Sequence, residues 1–281
     1  PAYTETENEL TVKANKRAFI FSKKDGQLKG VSVDNRKINF ANGPRFIGAR
    51  RADRSLDQFY NHDDEKAKEK DRTYSEFPDA AVFTKLDVKE DGGNLVVTAN
   101  YKLGNLDKAQ WTINPSGELA LDYTYNFSGV VDLMGIRFDY PEDQVISKRW
   151  LGAGPYRVWQ NRIHGTQYDV WENDYNDPIP GETFTYPEFK GYFGDVSWMN
   201  IQTKEGTISL TNEAPDAYIG VYQPRDGRDR LLYTLPESGI SVLNVIPPVR
   251  NKVNSTDLCG PSSQPKWVNG PQTGRVIFRF M

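Results

Sequence analysis

Apolar and polar residues along this chain alternate with a period of two far more often than they recur every three or four positions. The runs Arg17–Phe21 (RAFIF), Leu95–Tyr101 (LVVTANY) and Leu119–Tyr125 (LALDYTY) predict strands. So do Gly206–Leu210, Ile240–Val245 and Arg275–Phe280, all short and rich in β-branched and aromatic residues. Turn chemistry separates such runs: Lys24-Asp25-Gly26, Glu90-Asp91-Gly92-Gly93 and Asn114-Pro115-Ser116-Gly117 fit hairpins, and Lys204-Glu205-Gly206 and Asp226-Gly227 add two more. The one helix-like stretch, 61–72 (NHDDEKAKEKDR), is charged all round and reads as a solvated excursion. A hairpin series of this length predicts an all-β fold, a large antiparallel supersandwich, and not a βα barrel. No linker, low-complexity tract or internal repeat divides the chain, so residues 1–281 are expected to form a single domain.

Size supports a real core. For a chain of this mass the folded surface is about 12,000 Å² against about 46,000 Å² unfolded, so roughly three-quarters of the surface is buried without a metal or disulfide staple. Only 37% of residues are hydrophobic, and no run approaches the ~18 apolar residues of a spanning helix, so no membrane partner is expected. Thirty-five basic against 38 acidic residues give a net charge of −3, which offers nothing to nucleic acid or an anionic membrane. The lone cysteine, Cys259, excludes an internal disulfide framework and a Cys-rich zinc site, and reads as an unpaired structural thiol. Fifteen Tyr, 14 Phe and 6 Trp are typical of sugar-handling β proteins and equally of many sandwiches. The chain opens on Pro1 with no basic or apolar leader, which reads as following a removed signal or an excision point.

Few constellations could carry chemistry. A sugar epimerase needs a general base and a general acid on opposite sides of the ring. The two histidines are His62, in a charged loop and read as solvated, and His164, beside a Trp-rich segment and the better pocket candidate. Asp63, Asp64 and Glu65 lack the glycine turn and spaced oxygens of a calcium loop, so no metal is expected. Asn212-Glu213 follows a strand, but Asn8-Glu9 repeats the dipeptide and neither sits in a βα pattern, so no glycosidase carboxylate pair is assigned. No G-x-S-x-G elbow, dinucleotide fingerprint or phosphate loop is present, and no cofactor is expected.

The densest segment is Arg149–Arg162 (RWLGAGPYRVWQNR), with two Trp, one Tyr and three Arg around a Gly-Ala-Gly-Pro turn. Aromatic faces stack on the C–H face of a sugar, and guanidinium forks bond vicinal hydroxyls. The competing reading is a tight inter-strand turn with core tryptophans.

This segment resembles the C-terminal, small-chain domain of family 2 β-galactosidases, a galactose-mutarotase-like supersandwich. Three blocks fall in the family's order. The first comprises Phe19–Ser22, Asp25–Leu28, Gly43–Phe46 and Arg50–Asp53; the second, Met134–Phe138 followed by Trp150–Pro155; the third, Tyr186–Gly191 followed by Asp195–Trp198. The second block is similar to the family's W-x-G-x-GP-x-E-x-Y-x-D-R, with Arg157, Trp159 and Asn161 standing for its Glu, Tyr and Asp, and Arg162 kept. In the third, Ser197 replaces an Arg before Trp198, and Trp267 is the counterpart of a Trp that reaches toward the sugar subsite.

The resemblance implies a non-catalytic, carbohydrate-binding C-terminal module of a glycoside hydrolase. Its partners would be a galactoside-like carbohydrate and a catalytic barrel of the same polypeptide that holds the catalytic carboxylates. It further implies a bacterial source, a periplasmic or secreted location, and compatibility with an oligomer. The expected sugar face is lined by Tyr156, Arg157, Trp159, Arg162, His164 and Glu188, with Trp171 or Trp267 at its edge. The alternatives are a stand-alone aldose 1-epimerase using His164 with Glu188 or another acid, and a purely structural interdomain module.

Overall fold

A computed structural model describes residues 1–51, 74–174, 190–214, 216–224, 235–249 and 260–281. Nineteen strands run in chain order through them. The first seven are β1 (Ala2–Glu5), β2 (Glu9–Ala14), β3 (Arg17–Ser22), β4 (Leu28–Val33), β5 (Arg36–Ile38), β6 (Ala41–Arg51) and β7 (Tyr74–Glu76). Then come β8 (Val82–Asp91), β9 (Asn94–Lys102), β10 (Leu106–Ile113), β11 (Leu119–Val131), β12 (Leu133–Asp139), β13 (Val145–Gly154) and β14 (Gln167–Asp174). The series closes with β15 (Trp198–Thr203), β16 (Gly206–Asn212), β17 (Tyr218–Val221), β18 (Ile240–Val245) and β19 (Lys266–Phe280). No α-helix occurs among the described residues.

The strands form two sheets. One is ten-stranded, in the order β1-β2-β3-β4-β6-β12-β18-β17 with β5 on β4 and β7 on β6; the other is nine-stranded, β14-β13-β15-β16-β19-β11-β10-β9-β8. The paired strands are antiparallel, as the hairpin series predicts. All six strands expected from the period-two runs are present. Four of the five turns join neighbours, and each uses the chemistry that selected it. Asn114 Oδ1 accepts from the Ser116 and Glu118 amides at 3.1 and 3.0 Å, while Gly117 takes φ +82°. The fifth turn, Asp226-Gly227, lies outside the described residues, as do the stretch 61–72, Asp53, His62, Asp63–Glu65, Glu188 and Cys259.

Between the sheets, alternate residues interdigitate. Phe138 of the ten-stranded sheet meets Phe278 of the other edge-to-face at 5.4 Å, and Phe40 stacks on Phe138 at 4.8 Å. Trp111 joins Phe21 at 5.9 Å to Phe138 at 6.0 Å. Burial of such rings supplies most of the driving force for the sandwich.

The opposite face of the ten-stranded sheet is not uniform. Along β6, Phe46 points into the main core, so Arg45, Ile47 and Ala49 point outward. The strand register then lays out two adjacent rows across the outer face. One is Arg45–Arg137–Ser241–Gly220 and the next is Ile47–Gly135–Leu243–Tyr218. Polar and apolar rows thus sit side by side, and the two halves of the face meet different fates.

Candidate functional site

On the apolar half, the Gly-Pro segment closes over the sheet. Ile47, Ala49, Leu133 and Leu243 pack with Val158, Trp159, Tyr192, Ile246 and Val249 in a second hydrophobic cluster. The covering chain is held by backbone bonds on both sides. Val158 and Tyr192 exchange amide bonds of 2.7 Å each, and the Gln160 amide donates to Pro247 O at 3.0 Å. Side chains finish the clamp: Gln160 Nε2 donates to Ser262 O and Gln264 O at 2.8 and 2.7 Å. Asn161 Nδ2 donates to Val249 O at 2.7 Å while its Oδ1 accepts from the Val249 amide at 2.9 Å. The last pair explains one departure from the family pattern, because an ionised Asp could accept from that amide but not donate to that carbonyl.

The expected sugar face is divided by this packing. Trp159 is 0% exposed, with its ring edge-on to Tyr192 at 5.8 Å, and Arg157 is 4% exposed, its guanidinium 5.9 Å from the Phe193 ring centre. These two therefore point into protein and do not line an open face, in keeping with the core reading of the block. Trp150 is buried as well, edge-on to Phe193 at 4.9 Å, and its Nε1 donates to Ala153 O at 3.0 Å. Tyr156 is half-buried, and its hydroxyl donates to His164 O at 3.4 Å. Trp171 is half-buried over Gly154, where a Cβ would lie 2.4 Å from its ring. Arg162 and His164 are exposed at the tip of the clamped loop, and Trp267 is 71% exposed. Ser197, which replaces a family Arg, shares a 2.6 Å hydrogen bond with the Tyr168 hydroxyl. Glu213, from the dipeptide weighed as a glycosidase acid, is engaged by Arg275 Nε at 3.1 Å, a surface ion pair. No group of three or more metal-ligating side chains occurs among the described residues.

On the polar half, the same face stays open as a cleft of about 760 Å³. Its floor is the cross-strand pair Arg45 and Arg137. Arg45 is ion-paired with Asp139 and donates from Nε to Asn42 O at 2.9 Å; Asn42 Nδ2 donates to Asp139 Oδ2 at 2.9 Å. Arg137 bonds Glu237 O and lies 3.9 Å from the Glu76 carboxylate. Behind the floor on one side is Tyr140, whose hydroxyl donates to Glu205 Oε2 at 2.9 Å; burial and that carboxylate hold the phenol above its ordinary pKa. On the other is Tyr222, held at φ +60° with its amide donating to Gly239 O at 2.6 Å. Neither arginine was expected as a contact, though both stand in the family blocks. Parity was the available signal: Arg45 and Arg137 alternate with Phe46 and Phe138, so a sheet that buries the rings must present the arginines outside.

Fold and face together define a two-sheet antiparallel β-sandwich whose outer face is closed at one end and polar and open at the other. The chain belongs to the β-galactosidase small chain family, whose profile matches residues 13–252, so the resemblance carried by the three sequence blocks holds. No curated protein sequence matches it. Among solved structures it is similar to galactose 1-epimerase from Lactobacillus acidophilus NCFM, at 10% identity over 100% of this chain and 97% of that one, with TM-score 0.48. It is similar also to a galactose mutarotase-like protein from Lactobacillus casei ATCC 334, at 11% identity over 97% and 100%, with TM-score 0.47. A third similarity is to the α-N-acetylgalactosaminidase NagBb from Bifidobacterium bifidum in complex with GalNAc, at 10% identity over 96% of this chain and 36% of that one, with TM-score 0.45. Likeness at these levels transfers no activity.

Proposed function

We infer that this chain is a non-catalytic, sugar-handling module of a β-galactosidase-like glycoside hydrolase, with the catalytic carboxylates in a barrel domain outside residues 1–281. Family membership supports the class. The single observation that carries the role is the clamped loop: Arg162 and His164 are exposed on a segment fixed by Val158, Gln160 and Asn161. Forked donors held on a rigid support contribute to one wall of a sugar pocket without conformational cost on binding. Tyr156 would complete that wall, with Trp171 or Trp267 at its edge and Glu188 as its acceptor.

The test is a pair of assays on the isolated chain, one for aryl β-galactoside hydrolysis and one for anomer interconversion. Neither should show turnover. A galactoside titration should give weak binding, about millimolar or about 4 kcal/mol, since half of such a pocket belongs to the partner domain. Arg162→Ala should weaken that binding further. Fast mutarotation abolished by His164→Ala would replace this reading with a stand-alone epimerase. Absence of binding to any mono- or disaccharide anywhere on the chain would leave only an interdomain spacer.

A further inference from the structure

The open cleft lies on the same sheet face as the Gly-Pro loop but at the other end, and the role inferred for that loop does not use it. Its lining carries four cations (Lys29, Lys37, Arg45, Arg137) and three carboxylates (Asp139, Glu142, Glu237). The signs are interspersed, so the cleft has no strong field to attract a highly charged ligand. What it offers is hydrogen bonding of both senses at fixed positions. Arg45 and Arg137 are direct cross-strand partners, which places their Cβ atoms about 4.5–5.5 Å apart. Two like charges so placed repel unless something separates or matches them. Asp139 matches Arg45, with both carboxylate oxygens engaged by Arg45 and Asn42. Arg137 is matched less closely: it donates to Glu237 O, Glu76 stands 3.9 Å away, and Asp79 is shared electrostatically with Arg45.

Acceptors and further donors stand opposite. Among the described residues, no hydrogen bond or ion pair engages the side chains of Glu237, Gln223 or Lys37, all on the cleft lining. Tyr140 and Tyr222 back the floor from the main core, 5% and 7% exposed, and present no ring face to the cleft. Forked donors, an acceptor carboxylate and an amide form a lining for a ligand with many hydroxyls and no net charge.

We propose that this cleft is a second carbohydrate site, binding a neutral saccharide unit between Arg137 and Glu237, with Gln223 and Lys37 at its edge. Arg137 donates to vicinal hydroxyls, Glu237 accepts from one, and the Arg45–Asp139 pair supplies a donor and an acceptor at the far side. The site is independent of the Gly-Pro loop, so either can fail without the other.

The experiment is amide NMR on the whole 281-residue chain, perdeuterated and ¹⁵N-labelled. Methyl β-galactoside, lactose and cellobiose are titrated separately to about 50 mM, a range that captures millimolar binding. Galacturonate and inorganic phosphate serve as anionic probes. The expected result is saturable shifts at the amides of 37–45, 137–142 and 237–241 with at least one neutral sugar. Glu237→Gln and Arg137→Ala should each weaken that binding about tenfold, the loss expected for a hydrogen bond to a charged group. If Arg137→Ala unfolds, the Glu237→Gln result decides alone. Shifts confined to 156–168, shifts with phosphate or galacturonate only, no cleft shifts with any neutral sugar, or binding indifferent to Glu237→Gln would each overturn the proposal.

Discussion

The two ends of the outer face of the ten-stranded sheet are built from the same three strands, β6, β12 and β18, yet one has become interior and the other a polar surface. Two residues along β6 separate Arg45 from Ile47, and the register carries that difference across to Arg137 against Gly135 and Ser241 against Leu243. An apolar row must be covered, and the Gly-Pro segment with residues 190–193 and 246–249 covers it. A row of guanidiniums needs no cover, because leaving it wet avoids the desolvation of two like charges. Sequence density is therefore a poor guide to exposure here. The segment richest in Trp and Arg supplies the lid's underside, and its exposed guanidiniums are left at its two ends, Arg149 and Arg162.

Perturbing the closed end should cost far more than perturbing the open one. Trp159→Ala should be the most damaging single change, about 3–5 kcal/mol in equilibrium urea unfolding, since the ring is wholly buried against Tyr192. Gly154→Ala should cost about 1–3 kcal/mol, because its methyl would sit 2.4 Å from the Trp171 ring and displace it; a shift in tryptophan emission should accompany the loss. Asn161→Asp restores the family residue but forfeits the bond to Val249 O, and should cost about 1–2 kcal/mol in the same assay. At the open end, Asp139→Asn should cost no more than about 1 kcal/mol, its carboxylate being half exposed and its ion pair screened by water. A larger loss for Asp139→Asn than for Asn161→Asp would invert the comparison.

The fold was largely legible because period-two runs and turn residues are local signals, and the six strands and four described hairpins followed from them. β19 shows where such signals stop. Only Arg275–Phe280 reads as a strand, whereas the strand begins at Lys266 and includes Gly270, Pro271 and Gly274. Pro271 is tolerated because β16 pairs with β19 only from Val276 onward, so the chain there is an edge. Gly274 is required because a Cβ would come within 2.3 Å of the Tyr123 hydroxyl on β11. Both reasons are long-range and invisible in the local pattern. The site divided in the same way. Arg162 and His164 were legible as polar residues beside a turn, while the burial of Trp159 and Arg157 depends on Tyr192 and Phe193, more than thirty residues away. Arg45 and Arg137 become a pair only through the β6–β12 register.

The claim that the Gly-Pro end is closed by its own tryptophan, with sugar contacts confined to the rim, is tested most directly by hydroxyl-radical footprinting of the intact chain read by mass spectrometry. Trp267, 71% exposed, should oxidise readily, and Trp159, 0% exposed, should stay protected until the fold is lost. Oxidation of Trp159 in the folded protein at a rate comparable to Trp267 would contradict the account and return that ring to the sugar face.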